Sequence, residues 1–183
     1  MRPTVAELAA TLGLELHTEG GFFRETFRSA ETLQTPRGER AASTAILFLV
    51  TAAAISRLHR LSSDELWVFQ GGLPLELTTI SPDGAAWTIL LGDPAEAVEA
   101  GQAAETLPRG GATTSLVPQA LVPAGSWQGA RLAGGPHLPA SRAWALVSCI
   151  VSPGFEDEDF ELGQRDALLA AYPEHAKIVT AFT

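Results

Sequence analysis

A chain of 183 residues with 46% hydrophobic and 18% charged side chains has the size and composition of one globular domain. At that size about 70% of the unfolded surface can be buried, so a core needs no disulfide or structural metal. A net charge of -9 and a pI near 4.8 argue against nucleic-acid binding by phosphate neutralisation, and the single cysteine, Cys149, excludes an internal disulfide.

The first element is a short helix. Thr4 and Glu7 have the spacing of a capping box, Val5, Leu8 and Leu12 fall on one helical face, and Gly13 is placed as a left-handed C-cap. Glu7 interrupts what a secretory leader would need as an apolar segment. The period then changes to two. Phe23, Glu25 and Phe27 alternate with Arg24, Thr26 and Arg28, which predicts a strand with the two arginines on the opposite face, available for surface or dimer contacts. Residues 36–40 are expected to form a polar loop.

Further strands are predicted over 43–50, 55–59, 65–70, 75–80 and 86–91, separated by turn signals such as Gly71-Gly72 and Ser81-Pro82-Asp83-Gly84. The Ala/Glu-rich stretch 95–109 is expected to be an irregular or partly helical excursion. Strands resume over 113–117, 126–132 and 142–151, and a short helix over 166–171 closes the chain before Tyr172-Pro173. The longest apolar stretch, 41–55, contains Ser43, Thr44 and Thr51 and is shorter than the ~20 residues of a membrane span. These features predict one all-β domain over 1–183, a sandwich or closed barrel with a short helix at each end, in a cytoplasmic protein without membrane or nucleic-acid partners.

The densest chemistry lies between Ser56 and Gly72. A strand carrying His59, a polar turn, and a strand carrying Glu65, Trp67 and Phe69 can bring these residues to a shared face. An imidazole beside a carboxylate suits proton transfer, the carboxylate fixing the tautomer. Glu25, between two aromatics, is either a buried carboxylate or a solvent-end acid. His17, in the Gly-rich segment 17–21, can reach a pocket rim. Trp127 can stack on a ligand or pack in the core. His137 and His175 read as surface residues, and 156–161 as a solvated acidic run anchored by Phe155 and Phe160.

These residues resemble the cupin superfamily. His59, Glu65 and Gly72 match the first His, the Glu and the Gly of its first motif, with Leu61 in place of the second His. Pro123 and Gly125 match the P-x-G of its second motif, with Gln128 where a metal-binding His would stand. The segments 17–26, 59–67, 122–128 and 151–162 together resemble one branch, small cupins long carried as a domain of unknown function and described as predicted sugar epimerases.

That resemblance implies a cupin double-stranded β-helix (jelly-roll barrel) and a homodimer, with a small-molecule ligand held in the barrel. Taken with the residues' own types and positions, it gives His59 and Glu65 as candidate catalytic residues, and Glu25, Trp67, Phe69, Trp127, Gln128 and His17 as candidate ligand-binding ones. Three functions are compatible with it. The first is an epimerase or isomerase on a carbohydrate-type carbonyl, with His59 as base and Glu65 as its orienter. The second is a non-catalytic binding protein. The third is a metal-dependent enzyme in which His59, Glu65 and Gln128 hold a weakly bound divalent metal, a poor set for tight binding. The sugar-nucleotide epimerase of the rhamnose pathway pairs its His base with a Tyr acid, whereas the one tyrosine here, Tyr172, lies near the C-terminal helix.

Overall fold

The structure, a computed structural model, describes residues 2–99, 115–134 and 138–183. Helix α1 (Val5–Leu12) forms as its caps dictate. Thr4 Oγ1 accepts the Glu7 N–H at 3.2 Å, the Glu7 carboxylate accepts the Thr4 N–H at 2.8 Å, and Gly13 closes the helix at φ 64°.

Thirteen strands follow among the described residues: β1 (Glu15–Leu16), β2 (Phe22–Arg28), β3 (Thr32–Thr35), β4 (Gly38–Ala41), β5 (Thr44–Thr51), β6 (Ser56–Leu61), β7 (Asp64–Gly72), β8 (Leu75–Ile80), β9 (Ala86–Leu91), β10 (Gln119–Val122), β11 (Trp127–Leu132), β12 (Trp144–Ser152) and β13 (Phe160–Leu162). One sheet has the order β1-β2-β5-β12-β7-β10, and the facing sheet has the order β13-β6-β11-β8-β9. Every named pairing is antiparallel, and consecutive strands β6 and β7 lie in different sheets. This is the mostly β jelly-roll arrangement anticipated.

Period-two alternation sorts the side chains of the five-stranded sheet. Its inner face meets the other sheet in a core that includes Phe48, Trp67, Leu75, Leu77, Ile89 and Val147. Its outer face carries Leu58, Ile80 and Trp127, which are covered by Leu168 of α3 (Arg165–Ala171) and by Val179 and Phe182 of α4 (Ala176–Phe182). Leu58 and Trp127 therefore point out, while their neighbours His59 and Gln128, paired across β6 and β11, point in.

Several elements differ from expectation. Residues 36–40 belong to a β3–β4 hairpin whose buried Arg40 bonds Asp159 at 2.7 Å. Strands β1 and β13 are too short to show a period. The C-terminal region is two helices, because Pro173 starts a single 3-10 turn that leads straight into α4. The excursion begins with α2 (Pro94–Glu99), and its remainder lies outside the described residues, as does His137. Of 113–117, Val117 bridges Leu91 and no strand is formed among the described residues; β10 follows instead. No described helix is long and apolar enough to cross a membrane.

Candidate active site

The apolar core fills one part of the space between the sheets. The rest is a cavity of about 510 Å3. His59 on β6 and Glu65 on β7 line it from opposing sheets, both buried, with His59 Nε2 4.0 Å from Glu65 Oε2. The His59 ring stacks on Phe160 at 5.6 Å between centroids, and Leu61 lines the same wall.

The other ring nitrogen of His59 is fully engaged. Nδ1 lies 2.9 Å from the Arg57 carbonyl oxygen and 3.1 Å from Glu19 Oε2. Both are acceptors, so Nδ1 carries the hydrogen and Nε2 faces the cavity. Glu19 is in turn held by Ser56, whose Oγ donates to Glu19 Oε1 at 2.8 Å. Glycines make this approach possible: at Gly20 (φ 111°) an added Cβ would sit 2.1 Å from the Ile55 carbonyl oxygen. That close passage lets Glu19 enter the barrel.

Burial alone would make His59 less basic, yet the Glu19 and Glu65 carboxylates outweigh it and raise its pKa to about 9. Burial, helped by the neighbouring Glu65, pushes Glu19 up to about 7, against the pull of His59. His59 is therefore an imidazolium at neutral pH, a proton donor in its resting state. This protonation state runs against reading it as a resting base, and Glu19, not Glu65, orients its ring.

Gln128 stands behind Glu65. The Trp67 indole N–H can only donate, and it donates to Gln128 Oε1 at 2.9 Å. That contact turns the Gln128 amide nitrogen to Glu65 Oε2, with which it makes a short hydrogen bond. Gln128 thus turns its oxygen to Trp67 and its amide nitrogen, which is no metal ligand, to Glu65, and Leu61 supplies no donor atom. No group of three or more His, Cys, Asp or Glu among the described residues is arranged to hold a metal ion. The donor set does not fit a resident transition metal.

His17 also lines the cavity, with its ring edge-on to Phe23 at 4.6 Å. Its Nδ1 accepts the Glu19 N–H at 3.3 Å, and burial together with the charge on His59 lowers its pKa to about 4, so it is neutral. Trp67 and Glu25 are lining residues too. Arg28 joins them, contrary to the simple alternation, because the β2–β5 register shifts between Glu25 and Phe27. The same bulge leaves Phe27 exposed. Two further residues lie elsewhere than expected: Trp127 is on the outer face of its sheet under the Arg60 guanidinium, and Phe69 packs against the apolar core.

Sequence reading missed Glu19. An acid before Gly-Gly has the look of an exposed turn, and only the clash-limited path at Gly20 marks it as inward. Cys149 lines the cavity as well, its thiol pushed well up by burial and by the two carboxylates, and so protonated.

Residues 6–163 match the family model of the Cupin superfamily (DUF985). The chain belongs to this family. Two solved structures agree along its whole length: a hypothetical protein from Leishmania major (33% identity, 98% of both chains, TM-score 0.81) and a protein from Shewanella oneidensis (34% identity, 98% of this chain and 97% of that one, TM-score 0.76). A mutant oxalate decarboxylase from Bacillus subtilis shares the fold at 12% identity, over 92% of this chain and 37% of its own, with a TM-score of 0.50. No curated protein matches the chain.

Proposed function

We propose that this cupin binds a small polar, carbohydrate-like molecule in the barrel and moves a proton on it. His59 gives its Nε2 proton to a carbonyl oxygen while Glu65 takes one from the adjacent hydroxyl-bearing carbon, leaving an enediol; Glu65 then gives its proton to the former carbonyl carbon while the now neutral His59 takes the proton of the neighbouring hydroxyl, whose oxygen becomes the new carbonyl. The observation that carries this reading is the buried His59 imidazolium, fixed at Nδ1 by Glu19 and presenting Nε2 to the cavity 4.0 Å from a carboxylate. A donor and an acceptor so close act on neighbouring atoms of one ligand, as a 1,2-proton transfer requires. Inversion at one carbon would need a donor on the opposite face, and Tyr172 packs with the C-terminal helices instead. The reaction class is accordingly isomerisation of an aldehyde or ketone sugar in preference to two-sided epimerisation.

The test is deuterium wash-in from heavy water into a panel of aldoses and ketoses, followed by proton NMR. Exchange at the carbon next to the carbonyl, lost in Glu65→Gln and His59→Gln, supports the reading. No exchange in any member of the panel, with binding retained, leaves a binding protein without proton transfer.

A further inference from the structure

The charge lining the cavity narrows the ligand further, on the reading that the barrel holds a carbohydrate-like molecule. Six carboxyl side chains line it: Glu15, Glu19, Glu25, Glu65, Glu156 and Asp157. The one lining arginine, Arg28, is already paired with two of these carboxylates. Its Nε and Nη2 donate to Glu25 at 3.1 and 2.9 Å, Nη1 donates to Glu156 at 2.7 Å, and Nη2 also reaches the Phe155 carbonyl. The charge of His59 is likewise flanked by the Glu19 and Glu65 carboxylates, with its Nε2 N–H left to a ligand oxygen, and His17 is neutral. The lining is therefore net negative, and both described cations in it, Arg28 and His59, already face carboxylates. Five aromatic side chains, Phe23, Phe48, Trp67, Phe155 and Phe160, line the cavity beside aliphatic ones. Carboxylates and aromatic faces in one low-dielectric cavity stabilise an ammonium group and repel an anion.

We infer that the barrel selects an amine-bearing sugar or polyol and rejects phosphorylated, nucleotide-linked and carboxylated sugars. The selection is electrostatic: an ammonium completes the charge balance of the carboxylate-rich mouth, where Glu156 and Asp157 stand, while a phosphate would have to displace Glu25 and Glu156 from Arg28.

Titration calorimetry of the full chain at low ionic strength, with glucosamine, glucose and glucose 6-phosphate as probes, tests this. Glucosamine should bind at least about tenfold more tightly than glucose, and glucose 6-phosphate at least about tenfold less tightly; the spread should shrink at high salt. In Glu156→Gln/Asp157→Asn the glucosamine preference should fall by about threefold or more, with thermal unfolding checking that the variant is folded. Equal binding of glucose and glucosamine, or tighter binding of glucose 6-phosphate, overturns the inference while leaving the proton-transfer reading intact, since deuterium exchange tests that separately. Absence of binding by every probe overturns both the charge selection and the carbohydrate site beneath it.

Discussion

Glu19 and His59 meet inside the barrel with Oε2 3.1 Å from Nδ1, although one belongs to a glycine-rich turn and the other to a central strand. Their contact fixes the orientation of the His59 ring and keeps it charged. The relationship links the local backbone path at Gly20 to the chemistry the cavity can perform.

The pair makes stability depend on pH in a defined direction. The folded pKa of His59 is raised from 6.5 to about 9 and that of Glu19 from 4.5 to about 7, so each contributes stability present below its unfolded value and lost as pH rises through its folded one. His17, lowered from 6.5 to about 4, works oppositely and loses its contribution as pH falls toward 4. Thermal unfolding should thus change little between pH 4.5 and 6.5, where Glu19 and His17 offset each other, and fall between pH 7 and 9. The His59 share of that fall is on the order of 3 kcal/mol. In His59→Gln the His59 share of the decline should be lost, leaving a smaller decline due to Glu19, whose carboxyl no longer feels the pull of the His59 charge.

Gly20→Ala should be among the most damaging single-methyl additions in the chain. Its Cβ meets the Ile55 carbonyl at 2.1 Å and its φ of 111° is in a region that L side chains rarely adopt. Urea denaturation should show a loss of roughly 3 kcal/mol or more. Gly134→Ala, at φ 71° with nothing near its Cβ, should cost only about 1 kcal/mol of backbone strain.

Gln128→Leu removes one partner from each of two buried groups, the Trp67 indole and the Glu65 carboxylate. Each unsatisfied group costs about 1–3 kcal/mol, so unfolding should show a loss of roughly 2–5 kcal/mol. A neutral change in stability would mean that the Trp67–Gln128–Glu65 chain does not hold the site.

Much of this was legible in the sequence. The Thr4–Glu7 box and the alternation in β5 through β9 act locally, so helix α1 and the central strands could be read from neighbouring residues. His59 and Glu65 could be paired because one short turn joins their strands. What escaped was decided at a distance or by a shift in period. Glu19 reaches His59 only through the fold; the bulge in β2 swaps Arg28 into the cavity; and Trp127, aromatic like Trp67, faces outward because α3 and α4 supply the apolar surface that covers it. Strands β1 and β13, at two and three residues, carry no pattern to read.

The departures at Leu61 and Gln128 can be reversed as a test of the metal argument. Leu61 lines the cavity beside His59, and Gln128 is paired with His59 across the sheet. Leu61→His/Gln128→His adds two imidazoles to His59 and Glu65, and affinity for Zn2+ or Mn2+ should rise about 100-fold or more over the parent chain. Calorimetry with each metal ion checks this; equal affinities would show that these two positions do not control metal binding.

The central claim is that His59 is held as a proton donor by Glu19. Nitrogen-15 NMR of selectively labelled histidine reports it directly, since the chain has only four histidines. At pH 7.5 both His59 nitrogens should carry protonated-imidazolium shifts and titrate near pH 9, with a lower value in Glu19→Gln. A neutral His59 ring at pH 7.5, titrating near 6.5 and unmoved by that substitution, would contradict the account.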